Sequence, residues 1–191
     1  MARKISKIAG ELADREAMRE LLYRYCRGID RMDEDEIRAV YWPDASDEHG
    51  NFIARSVDEF VAATFPVIAE KMERTTHTVL NMLIEIDGDV AFTETYVRAF
   101  HRLWTDTGTT YDRMSSSRFL DRMARRDDEW RIEHRVVVRD WFREFPDSCL
   151  WEDGQMGREL GYGKARPLDI GTRKPDDLSY RVRERVLGHR S

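Results

Sequence analysis

The chain has 191 residues, 41% of them hydrophobic, which is enough for one well-buried core and too few to expect two. Its formal net charge is −5, with Lys and Arg scattered among Asp and Glu, so neither nucleic acid nor an anionic membrane is an expected partner. Cys26 and Cys149 stand far apart and outside any metal-ligand spacing, and no apolar run follows the basic start at Met1 to Ser6; a reduced, cytoplasmic setting without a signal peptide or membrane span is expected.

From Glu11 to Ile29 the apolar residues Leu12, Met18, Leu21, Leu22, Tyr25 and Ile29 recur at three- and four-residue steps, the stripe of an amphipathic helix. A shorter, acidic-headed helix is expected from Asp33 to Tyr41, stopped by Trp42-Pro43. Ala45 to Phe52 reads as a short strand or turn around Gly50-Asn51. Ser56-Val57-Asp58-Glu59 has capping-box form and opens a helix with Phe60, Val61, Phe65 and Ile68 on its apolar side, broken or kinked at Pro66. After Arg74 the period changes to two: Thr78, Leu80, Met82, Ile84 and Ile86 share one face, His77, Val79, Asn81, Leu83 and Glu85 the other. Further strands are expected over Val90 to Trp104, Thr109 to Met123 and Trp130 to Trp141. Helices followed by an antiparallel meander give an α+β domain.

The first hairpin controls which side chains share a face. A three-residue loop Ile86-Asp87-Gly88 pairs Glu85 with Asp89 and makes His77 and His101 point the same way, whereas a two- or four-residue loop separates them unless a bulge intervenes. On the second strand Ala91, Thr93, Thr95, Val97 and Ala99 leave room for a ligand; Phe92, Tyr96, Phe100 and Trp104 on the other side form a face too apolar to leave in water. From Phe145 onward Gly, Pro and charge dominate, the composition of an extended arm with aromatic anchors at Trp151, Tyr162 and Tyr180.

Asp30, at the end of the first helix, and His77 are the candidate catalytic pair. A carboxylate that holds one imidazole nitrogen leaves the other free to take a proton, the minimum equipment for cofactor-free proton abstraction. Tyr25 and His101 are the candidate proton donors, and Trp42, His49, Phe52 and Tyr111 the candidate substrate contacts. His49 in Asp47-Glu48-His49-Gly50 has no second histidine at ligand spacing, so no metal is expected, and no glycine-rich phosphate loop or cofactor lysine setting is visible. Each residue has a plainer reading as well: His77 as a strand histidine satisfied by Asp30, Asp30 as a turn residue beside Asp33 and Asp35, and Tyr25 as a core aromatic.

The segments Leu21 to Ala45, with Tyr25, Asp30, Trp42 and Pro43-Asp44-Ala45, then Thr76 to Asn81, then Trp130 to Arg135, resemble the SnoaL-like branch of the nuclear-transport-factor-2-like superfamily over roughly Glu11 to Trp141. That resemblance implies a cone, a curved antiparallel sheet wrapped around the N-terminal helices, over residues 11–144, with 1–10 as an extension and 145–191 as an arm. It is similar to the cofactor-free lyases, scytalone dehydratase, bile-acid 7α-dehydratase and hexachlorocyclohexane dehydrochlorinase. Asp30 and His77 match the catalytic Asp and His of those enzymes, Tyr25 the tyrosine of the dehydratases, and His101 the second histidine of scytalone dehydratase. The resemblance implies elimination of water or another small group, such as formaldehyde, from a small hydrophobic aromatic or polycyclic substrate. The rivals are a non-catalytic ligand-binding or assembly module and an isomerase or polyketide cyclase. A homo-oligomer is expected, trimer before dimer, with the arm over the pocket mouth or a neighbouring subunit.

Overall fold

A computed structural model describes residues 2–146 and 171–188. Helix α1 (Ala2–Arg31) buries Met18, Leu21, Leu22, Tyr25, Cys26 and Ile29, as its periodicity requires. Residues 2–10 continue this helix, and Leu12, which fits the stripe, lies outside the core with Ile5 and Ile8. The helix ends in a Schellman turn: Met32 adopts φ 55°, Asp33 N–H donates to the Gly28 carbonyl at 2.8 Å and Met32 N–H to that of Ile29 at 3.2 Å. Asp33 then caps α2 (Glu34–Val40). Gly28 permits the reversal, since a Cβ there would stand 2.8 Å from Ile37 Cδ1.

β1 (Tyr41–His49) and β2 (Phe52–Ala54) form a hairpin that begins earlier than the sequence pattern indicates. In α3 (Val57–Lys71) Ser56 Oγ accepts from Glu59 N–H at 3.1 Å. The helix runs through Pro66 unbroken. Pro66 and Ala62, whose carbonyl loses its helical donor, both face solvent, where water can replace the bond.

Four long strands follow: β3 (Met72–Asp87), β4 (Val90–Trp104), β5 (Thr110–Arg126) and β6 (Glu129–Pro146). The sheet order is β2-β1-β6-β5-β4-β3, all antiparallel except β1 against β6, a parallel pairing the meander reading did not include. The fold is α+β, with the helices packed inside the curve of the sheet. Its core joins α1, α3 and the inward residues of β4 to β6, among them Phe60, Phe65, Val97, Phe119, Met123 and Ile132.

The β3–β4 turn differs from expectation. Asp87 pairs with Val90, a two-residue connection that by itself would set His77 and His101 on opposite faces. A bulge restores the parity: Val79 pairs with Val97 but Met82 with Thr95, so Leu80 and Asn81 oppose Tyr96. Consequently no single face of β3 carries all the residues assigned to it. Thr75, His77 and Val79 point inward on one side of the bulge, and Met82, Ile84 and Ile86 on the other, with Leu80 and Leu83 outside.

The arm is only partly extended. Residues 147–170, including Trp151 and Tyr162, lie outside the described residues, as does Cys149, and α4 (Leu178–Leu187) is helical. The segment before α4 folds back onto the end of α1. Lys174 Nζ reaches Asp33 at 2.8 Å and Asp35 at 3.1 Å, Tyr180 donates to Asp33 at 2.8 Å, and Arg31 pairs with Asp177 at 3.3 Å. Among the described residues, no helix is long and apolar enough to cross a membrane.

Candidate active site

Asp30 lies one residue before the end of α1 and its carboxylate meets β3. Its carboxylate accepts three hydrogen bonds: from His77 Nδ1 at 2.6 Å, from the His77 backbone N–H at 2.8 Å and from Thr75 Oγ1 at 3.0 Å. The backbone contact fixes the strand to the helix end, and the Nδ1 contact fixes the imidazole tautomer with its proton on Nδ1. Nε2 is left as the basic nitrogen. The acidic cluster at the turn thereby divides its work: Asp33 caps α2 and binds the arm, Asp35 binds Lys174, and Asp30 serves His77.

The registers place inward side chains in rows across the sheet. Thr75, His101, Arg113 and Glu144 form one row, His77, Ala99, Ser115 and Phe142 the next, and Val79, Val97, Ser117 and Arg139 the third. The rings of His77 and His101 meet edge to face with centroids 5.4 Å apart. They open on a cavity of about 610 Å³ between the sheet and α3, walled by Phe52, Phe60, Val67, Ile68, Met72 and Phe119. Such a volume suits a multi-ring ligand. Ala99, Ser115 and Ser117 create the space, where larger side chains on β4 and β5 would fill it.

His101 is buried enough that desolvation lowers its pKa to about 4, with the neighbouring His77, Arg113 and Arg139 acting in the same direction and Asp30 against it. It is a neutral imidazole at ordinary pH and can donate a hydrogen bond without being an acid of consequence. Tyr25 also lines the cavity, but burial raises its pKa far above the usual phenol range, and its ring packs on the Arg135 guanidinium at 4.2 Å. Cys26, one turn before Asp30, is held as a thiol, pushed up to about 12 by burial and by the Asp30 charge.

His49 and Phe52 line the cavity as expected. Trp42 and Tyr111 do not. Trp42 donates to the Ala124 carbonyl at 3.0 Å and is sandwiched by Arg126 and Arg131 away from the site, while the Tyr111 hydroxyl accepts from Arg113 at 3.3 Å without reaching the cavity lining. Sequence reasoning missed Thr75, Arg113, Arg139 and the Ser115-Ser116-Ser117 run. The last carried a usable signal, because three small hydroxyls in mid-strand mark a place where packing volume is absent. Also missed was a row below the cavity: Asp47, Arg135 and Asp121 are register partners on β1, β6 and β5, with Arg135 bound bidentately to Asp121 at 2.7 and 2.8 Å and fully buried. Among the described residues, no group of three or more His, Cys, Asp or Glu is placed to hold a metal ion.

The sequence model of the SnoaL-like domain matches residues 10–136. The chain belongs to the SnoaL-like family. Solved structures share the fold at low identity. A type 2 hexachlorocyclohexane dehydrochlorinase, LinA, is 17% identical with a TM-score of 0.66 over 74% of this chain and 95% of that one. A protein assigned as a scytalone dehydratase from Novosphingobium aromaticivorans is 19% identical with a TM-score of 0.62 over 74% and 97%. A protein of unknown function with a cystatin-like fold from Nostoc punctiforme is 19% identical with a TM-score of 0.56 over 67% and 92%. No curated protein matches the chain. Structural relatives of this SnoaL-like chain thus include lyases and proteins without a known activity.

Proposed function

We propose that the protein is a cofactor-independent lyase acting on a hydrophobic aromatic or polycyclic substrate. The observation that carries this reading is the Asp30–His77 pair, with Nδ1 held at 2.6 Å and the other ring nitrogen left for a 610 Å³ apolar cavity. His77 Nε2 takes a proton from a carbon acidified by an adjacent carbonyl or aryl group. The released electron pair forms the new double bond as the carbon–oxygen bond on the neighbouring carbon breaks. Asp30 stabilises the imidazolium. His101 donates a hydrogen bond to the departing oxygen, and the proton on His77 passes to it, so that water leaves and the imidazole returns to its neutral form. His101 suits this part better than Tyr25, whose hydroxyl belongs to the Arg135 environment.

The test is a screen of aromatic and steroid-like alcohols and ketones with mass detection of lost water or formaldehyde. Turnover that vanishes in His77→Ala supports the reading. Tight binding of such compounds with no turnover, or turnover unchanged in His77→Ala, would leave the carrier reading of this cavity.

We also propose that the protein is a homo-oligomer, trimer before dimer, assembled through the convex side of the sheet. Phe92, Leu80 and Leu83 are exposed there on neighbouring strands, at 42%, 43% and 52%.

A further inference from the structure

We infer that the substrate carries an anionic group, a carboxylate or its equivalent, held by Arg139 on the β6 side of the cavity, across the sheet from the catalytic base. This deepens the proposed function and rests on its reading of the cavity as the reaction chamber.

The described lining of the cavity contains two guanidinium groups and no carboxylate, in a protein whose net charge is −5. With Asp30 engaged by His77 and Arg113 paired to Glu144, the charge of Arg139 is the one left to draw an anion into the cavity of an otherwise acidic protein. Both arginines line the site, Arg113 in the row of His101 and Arg139 in the row of Val97. They differ in commitment. Arg113 Nε donates to Glu144 at 3.0 Å and its guanidinium lies 5.4 Å from the Phe142 ring centre, so it is held in place. Arg139 has no carboxylate partner among the described residues, and its donors remain available for a bidentate bond to a planar oxyanion. Ser117 pairs with Arg139 across the strands and Ser115 with Phe142, giving hydroxyls beside the guanidinium.

Distance sets the shape of the ligand. His77 lies on β3 and Arg139 on β6, three inter-strand steps apart, or roughly 14 Å along the sheet at ~4.8 Å per step. A fused-ring acid, or a ring system with a carboxylate on a short chain, can place the reacting carbon at His77 while its charge rests at Arg139. The apolar wall of Phe52, Phe60, Val67 and Ile68 covers the body of the molecule between them.

The test uses 4-(pyren-1-yl)butanoate and its methyl ester, which match in shape and differ in charge, with binding to the full chain measured by calorimetry. The acid should bind at least about tenfold more tightly than the ester, the worth of one charge-assisted hydrogen bond. Arg139→Gln should abolish most of that preference while leaving ester affinity unchanged, which also shows that the variant is folded. Equal binding of acid and ester, failure of the acid to bind, or a preference that survives Arg139→Gln would overturn the inference. The catalytic reading is judged separately. His77→Ala should keep the anion preference, so an inactive enzyme with intact preference removes only the lyase, and an active enzyme without preference removes only the anion anchor.

Discussion

At the residue scale the candidate site is governed by what Asp30 accepts. His77→Ala should reduce turnover at least about a hundredfold, the usual worth of a positioned general base. Asp30→Asn should reduce turnover too, and it should also cost about 1–3 kcal/mol of stability in urea titration. Three donors converge on the carboxylate, and an amide must turn its own NH₂ toward one of them. Sequence alone favours little loss of stability there, because a spacing pattern shows the His–Asp pair but not Thr75 Oγ1 or the backbone N–H that share it. His101 gives a pH signature. Its folded pKa is about 4 against roughly 6.5 unfolded, so between those values the unfolded chain binds the extra proton. Its contribution is whole above about pH 6.5 and is lost as the pH falls toward 4. Urea midpoints at pH 7 and pH 5 should therefore differ more in the wild type than in His101→Phe; equal differences would mean that the imidazole is not buried as described.

At the element scale the inward residues of β4 and the helical stripe of α1 follow from periods of 2 and 3.6, and both were legible. The bulge was not. Leu80-Asn81 contains no Gly or other irregularity, and a bulge is specified by the sum of packing on either side: Ile84 and Ile86 must face the core while His77 must reach Asp30. Deleting Asn81 should pull the register straight. Because exposing Ile84 and Ile86 costs more than releasing His77, the variant should fold with turnover no better than His77→Ala. A second element-level feature is the buried row under the cavity. Removing Asp121 alone, as Asp121→Ala, leaves the fully buried Arg135 without its bidentate partner and should destabilise by about 3–5 kcal/mol, whereas the pair Asp121→Leu with Arg135→Met should recover much of that loss. Chemical denaturation of the single and double variants reads both. Arg135 escaped notice in the sequence because an arginine in an alternating strand is ordinarily a solvent-facing residue, and its placement depends on the bulge at Glu133, between the pairings Arg122–His134 and Met123–Ile132.

At the scale of the whole molecule two surfaces do different jobs. Residues 171–188 close over the end of α1 that carries Asp30: the Lys174 backbone N–H donates to the Arg31 carbonyl at 2.7 Å, Arg173 reaches the Met72 carbonyl where α3 passes into β3, and Lys174 and Tyr180 converge on Asp33. These contacts lie within one chain and steady the turn behind Asp30, whereas Phe92 and Leu83 on the convex sheet face stand exposed, and it is there that we place the proposed assembly contacts. Ending the chain at Ile170 should therefore lower the melting temperature and reduce turnover, since the Asp30 end of α1 loses its clasp, while the mass measured by sedimentation equilibrium stays that of the proposed oligomer. Placing a charge on the convex face, as Phe92→Asp, should do the reverse: it dissociates the oligomer and, because the side chain points away from His77, leaves the Asp30–His77 contact in place. A truncated chain that turns monomeric with normal thermal stability would show that the arm, and not the sheet, joins the subunits.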